Sequence, residues 1–331
     1  MIAELSLPTA AQLAQLSRKL EQKLPTQILE FHGFEPLTNP SRSNADKKWC
    51  PFIDAKCKKS RSGGACALQA PSSPPVIICP NRLYAENFSV IRNIAEEVFG
   101  DACELVEAVE AEDRRRKNTL SGNEVVVYGQ GFSGEIGIEA PSEDESSGSF
   151  KVDYVLTRVD ADLKPELIVA IEVQTIDTTN KYSDASSQYY AGKPYPGYGK
   201  TPKPGWTKAG FNWENVTKRI LPQLIYKGHA LRRERLATHG LFFVLPDPVF
   251  KKILTRVGGS LLPYPKGPGT ITFHSYQLAE PLENGVRPIE KVQELTTTVE
   301  QLAFAFVSPQ NLPPLGIYQE TLTRKLEELK P

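Results

Sequence analysis

The chain has 331 residues, 40% of them hydrophobic, with 39 Lys and Arg matched by 39 Asp and Glu. That is enough apolar material for one sizeable core, and a zero average charge gives no bulk argument for an acidic partner. The opening MIAELSLPTAAQLAQL has neither a basic n-region nor an unbroken apolar stretch, and no run long enough to span a bilayer follows, so a soluble, cytoplasmic protein with no membrane partner is expected.

Thr9 can cap a first helix in which Leu13, Leu16, Leu20 and Leu24 recur at helical spacing, so residues 1–34 are expected to form an N-terminal helical scaffold. Residues 35–82 are rich in Pro, Gly, Ser, Cys and Lys and nearly aperiodic, which calls for some ordering force other than an apolar core. A second helix is expected from about Glu86 to Phe99, with Val90, Ile91, Ile94, Ala95 and Val98 on one face and Gly100 as its stop. Two strands, Phe150 to Val159 and Glu166 to Thr175, flank the turn-like DADLKP and should be neighbours in a mixed sheet. Residues 176–212 read as a long functional loop, followed by helix from Trp213 to Arg235, interrupted by Pro222 and Gly228. Gly240 to Leu245 and Thr270 to Tyr276 read as strands, and Val249 to Arg256, Lys291 to Phe306 and Glu320 to Leu329 as helices.

Charge is unevenly spread. From Lys181 to Arg235 there are eleven Lys or Arg against three acids, and from Arg42 to Arg61 seven against two, which leaves the rest of the chain acidic. Such basic segments are either solvated faces or contacts for a polyanion. The loop carries Lys193, Lys200, Lys203 and Lys208 among tyrosines and Trp206, suited to phosphate contact with added stacking. Asn215, Lys218, Arg219 and Gln223 share a helix face by their spacing, either a DNA-contacting surface or a solvated one. Lys47, Lys48, Lys58 and Lys59 form the other basic cluster.

Five cysteines are an odd number for a disulfide framework, and Cys50, Cys57, Cys66 and Cys79 are spaced Cys-x6-Cys-x8-Cys-x12-Cys within the aperiodic segment. Four thiolates suit a tetrahedral zinc or single-iron site whose binding energy can order such a segment; buried free thiols, of which Cys103 is the expected example, are the alternative. Asp153 falls in the first strand, and Glu172 and Gln174 sit near the end of the second, on one face because strand side chains alternate. A carboxylate inside the apolar run ELIVAIEV is costly unless paired or metal-bound, and two carboxylates from adjacent strands make a hard-oxygen site for Mg²⁺. An ion-pair framework is the bland alternative.

The run WCPF, GACAL, VIICPNRL, KVDYVL, AIEVQTID and GFNWENVTKRILPQLIYKG resembles the NotI family of type II restriction endonucleases, within the PD-(D/E)xK superfamily, over residues 30–230; residues 231–331 carry no matching motif. The resemblance implies an α/β fold: a PD-(D/E)xK core over residues 83–331 with a mixed sheet flanked by helices, and a metal-binding module at 35–82. It implies one iron on Cys50, Cys57, Cys66 and Cys79, and a catalytic triad in which Asp153 and Glu172 hold Mg²⁺ and Gln174 orients the attacking water or a carboxylate, hydrolysing phosphodiesters to 5′-phosphate and 3′-hydroxyl ends. Gln174 departs from the superfamily's usual Lys but agrees with the NotI-like pattern. Double-stranded DNA with a GC-rich palindromic site, a homodimer to cut both strands, a prokaryotic source and a cognate DNA methyltransferase follow as further expectations. A non-catalytic metal-stabilised DNA-binding protein and a repair nuclease are the competing readings.

Overall fold

The segments richest in β-branched and aromatic residues form a seven-stranded mixed sheet in the computed structural model, which describes residues 26–58, 63–71, 73–138, 150–180, 182–191, 193, 205–258, 261–308 and 312–329. Numbered along the chain, its strands are Glu104–Val106 (β1), Glu124–Gly129 (β2), Tyr154–Val159 (β3), Pro165–Val173 (β4), Leu241–Pro246 (β5), Thr270–Leu278 (β6) and Ile289–Thr298 (β7). They lie side by side in that order. β2, β3 and β4 make an antiparallel meander, β4, β5 and β6 run parallel, β7 returns antiparallel along β6, and β1 is parallel to β2.

Parallel neighbours cannot be joined by a tight turn, and both crossovers carry helices, Leu221–Leu231 between β4 and β5 and Asp247–Val257 between β5 and β6. These helices and Val299–Val307 cover one face of the sheet over Ala170, Phe243, Leu245, Ile271 and Phe273. The helix Ala85–Phe99 covers the other, where Val90, Ile91 and Ile94 join Val125, Leu156, Ile171, Phe242 and Val244. Every residue of β5 is buried, as a strand between two helical layers requires. The expected mixed α/β architecture with flanking helices is therefore present.

Several elements differ from expectation for local reasons. Residues 1–25, with the expected first helix, lie outside the described residues, but Thr26–Phe31, expected within the helical scaffold, is a strand. It pairs with Trp206–Thr207 and Ala65–Gln69, and Val76–Ile77 completes this four-stranded sheet. Residues 35–82 are thus not without a core: Leu68, Val76 and Ile78 are buried in the same cluster as the central strands, and Asn39–Lys47 is helical. The long loop also contains a helix, Ser183–Tyr190. Lys291 to Thr298, expected to be helical, is the edge strand β7, since Thr296 and Thr297 favour extended backbone and the rim of β6 offers a ladder; the helix starts only at Val299, with the Thr298 hydroxyl accepting from the Gln301 N–H.

Two helices carry irregular starts. Glu86, Asn87 and Phe88 have φ near +57°, so the regular part of Ala85–Phe99 begins after them. Ahead of Leu221–Leu231, the turn Val216–Ile220 is of π type, with the Leu221 N–H bonded to the Val216 carbonyl. Pro222 has no N–H to continue the ordinary ladder there, and a widened turn absorbs the mismatch.

Candidate active site

The sheet brings Asp153 and Glu172 together at one end of the meander. The expected strand from Phe150 to Val159 is broken: Phe150–Lys151 pairs with Gly137–Ile138, and Asp153 occupies the bend just before β3, not the middle of a strand. From the bend its Oδ2 accepts the Val173 N–H at 2.7 Å, which fixes the carboxylate against the last residue of β4. The bend lies tight against Gly129, where a Cβ would stand 2.7 Å from the Asp153 carbonyl oxygen and 2.3 Å from the Tyr154 ring.

Glu172 projects, as alternation requires, to the face opposite Ile171 and Val173, toward the crossover helix Leu221–Leu231. It is 8% exposed. Its Oε1 accepts the Lys227 ammonium at 2.5 Å, whereas Oε2 is buried with no hydrogen-bond partner. Burial, then the neighbouring Asp153 charge, pushes the Glu172 carboxyl up to about 7 against the pull of Lys227. Burial also raises Asp153, opposed by the Val173 N–H and the Lys227 charge. Gln174 lies just past β4, where its backbone N–H continues the ladder to the Val244 carbonyl at 2.9 Å and its side-chain amide donates to the Thr175 carbonyl at 2.9 Å.

Lys227 is the site residue that motif reading missed, because it stands 55 residues from Glu172 and looks like one more lysine in a basic stretch. A signal was present. Ile220, Leu221, Leu224, Gly228 and Leu231 are the buried stripe of this helix, so position 227 lies at its border. Glu135 is a second such residue: exposed, close enough to Asp153 to oppose its ionisation, and 3.9 Å from Lys151.

The expected DNA-contacting residues fall into three groups. Asn215 and Arg219 converge on the Asp177 carboxylate, at 2.7 and 3.1 Å, and Lys218 pairs with Glu214, which leaves Gln223 exposed on the same helical stretch. Lys193, Lys208, Lys47 and Lys48 are exposed, and Lys58 donates to Gln130 Oε1 at 3.1 Å. Lys59, Lys200 and Lys203 lie outside the described residues.

Cys50, Cys57 and Cys66 share one small cluster with Phe52 and Ala85, and Cys79 lies close enough to oppose ionisation of Cys50 and Cys66. Burial raises the Cys50 thiol, and raises Cys66 well above the usual range. The sulfurs are gathered but not drawn into a tetrahedral set: among the described residues only Glu97, His274 and Glu294 bring three ligating atoms within 4.8 Å of one another. Those three are already tied to Lys266 and Lys291. Cys103, expected to be a buried thiol, is only half-buried. From Cys50 a chain of contacts runs through Asn81 to Gln130, whose carbonyl accepts the Tyr154 hydroxyl beside Asp153. No protein-family model and no curated protein matches this chain.

Proposed function

We propose that the chain is a NotI-like type II restriction endonuclease of the PD-(D/E)xK superfamily, with its active site at Asp153, Glu172 and Gln174. The observation that carries this reading is the carboxylate pair itself. Asp153, half-buried in the bend before β3, and Glu172, buried in the neighbouring strand β4, lie side by side, and one oxygen of Glu172 has no partner. An unpaired buried carboxylate oxygen is expensive, and a hard cation shared with Asp153 removes that cost, so the donor set fits Mg²⁺. When bound, Mg²⁺ would lower the pKa of the attacking water and neutralise charge on the phosphate. The Val173 N–H holds Asp153 in place, and Gln174, having no proton to exchange, serves to orient.

The gathered thiols of Cys50, Cys57, Cys66 and Cys79 are proposed to hold one structural iron, or alternatively zinc, because soft sulfur and hard carboxylate sites do not share an ion. The exposed Lys47, Lys48, Lys193 and Lys208 supply phosphate contacts on double-stranded DNA, and a homodimer would place one active site on each strand of a GC-rich palindrome. A partner DNA methyltransferase belongs to this reading.

Digestion of a large phage DNA with Mg²⁺, followed by sequencing of fragment ends, tests the proposal. Discrete fragments with 5′-phosphate ends at one sequence are expected from the wild type. Asp153→Asn and Glu172→Gln should stop cleavage and retain specific DNA binding, since each alters charge with little change in volume. Binding without cleavage by the wild type would favour a non-catalytic DNA-binding protein, and cutting that depends on damage or ends would favour a repair nuclease.

A further inference from the structure

The residue two places after Glu172 is Gln174, so that position of the triad carries no positive charge. Its side-chain amide is also engaged by the Thr175 carbonyl at 2.9 Å. A cation is nevertheless present at the carboxylates: the Lys227 ammonium reaches Glu172 Oε1 at 2.5 Å with its side chain 12% exposed, and its charge is felt at Asp153.

The approach of this helix is built into the sequence. Gly228 is buried in the helix Leu221–Leu231, and a Cβ there would lie 2.4 Å from Val299 Cγ2. A helix-interior glycine costs about 1 kcal/mol relative to alanine, so its presence trades helix stability for proximity. The adjacent residue is Lys227. Stability alone does not account for a buried ion pair, since well-packed apolar residues of similar volume serve as well or better. Nor does Lys227 satisfy the pair it touches, because Glu172 Oε2 remains without a partner.

We propose that Lys227 is a catalytic residue that supplies, from the crossover helix, the positive charge at the reacting phosphate which Gln174 does not provide. This inference rests on the nuclease reading above. In the step, a water oxygen forms a bond to phosphorus as the bond from phosphorus to the 3′-oxygen breaks. The water proton passes to solvent, and the departing 3′-oxygen takes a proton from solvent. Extra negative charge accumulates on the non-bridging oxygens, and the Lys227 ammonium donates a hydrogen bond to it while keeping its own protons.

The test compares the full-length wild type, Lys227→Met, Lys227→Arg and the double variant Lys227→Met with Gln174→Lys on a DNA that the wild type cuts. Single-turnover rate in Mg²⁺, DNA affinity in Ca²⁺ without cleavage, and thermal midpoint are measured for each. Lys227→Met should lose ~10²–10³-fold in rate with DNA affinity near wild type, and its midpoint should fall because the buried Glu172 carboxylate loses its partner. The double variant should recover part of that loss, because a lysine at 174 returns charge to the same carboxylates. Should Lys227→Met fail to fold, Lys227→Arg keeps the charge with altered geometry and is expected to fold, bind and cut at least about tenfold more slowly. Wild-type rate in either single variant overturns the role of Lys227 alone, as does a loss of rate matched by an equal loss of affinity. A wild type that cuts no DNA sinks the nuclease reading and this inference together.

Discussion

Arg82 grips Glu30 through two hydrogen bonds, 2.8 and 3.2 Å long, with both side chains 1% exposed. The same guanidinium lies 4.7 Å from the centre of the Phe52 ring and donates to the Arg287 carbonyl. One side chain thereby ties the strand Thr26–Phe31, the cysteine segment and the hairpin leading into β7. Removing one member of such a pair strands a buried charge, so Arg82→Met or Glu30→Leu alone should cost ~3–5 kcal/mol. The two changes together should cost much less than their sum. Urea unfolding of the single and double variants measures this, and simple additivity would rule out the pair as the source of the loss.

Glu172 titrates at about 7 in the folded protein against an ordinary value of 4.5, because burial and the Asp153 charge favour its protonated form. A raised folded-state pKa means that the folded state binds the proton more tightly than the unfolded chain. Stability from this group is full below 4.5 and is lost as the pH rises through about 7, a loss on the order of 3 kcal/mol. The metal-free wild type should therefore become progressively less stable over that window relative to Glu172→Gln, which cannot ionise. Thermal midpoints of the two proteins that differ by a constant amount across the window would contradict this.

Gln174 is assigned an orienting role with no proton transfer. Gln174→Ala should lose about 10²-fold in cleavage rate through misplacement of the reacting groups. Gln174→Glu keeps the shape and adds a charge, so it should retain more activity, with its preference shifted between Mg²⁺ and Mn²⁺. Rates in each metal, measured side by side, decide the matter. Full activity in both variants would remove Gln174 from the site.

The thiol cluster should act on DNA binding at a distance. Cys57→Ala and Cys66→Ala are expected to lower metal content, stability and DNA affinity, because the bound ion would order the segment that presents Lys47, Lys48 and Lys58. Elemental analysis of protein purified without added metal should find about one iron or zinc per chain. A metal-free wild type, together with normal folding of the double alanine variant, would leave the quartet as buried thiols.

Much of the fold was legible in the sequence because the signals were local. β-branched runs marked β3, β4 and β6, and the apolar, aromatic run of Leu241 to Leu245 marked β5; helical spacing marked the faces of Ala85–Phe99 and Asp247–Val257; and alternation placed Glu172 opposite Ile171. Other elements depend on partners distant in the chain. Thr26–Phe31 and Trp206–Thr207 are strands because they hydrogen-bond one another, and β7 is extended because β6 presents an open ladder; no six-residue window contains those facts. The same division runs through the candidate site. Alternation along one strand marks Glu172 as an inward-facing carboxylate, but its pairing with Lys227 across 55 residues arises only when the crossover helix packs over the sheet, with Gly228 set close against Val299 and Ile271.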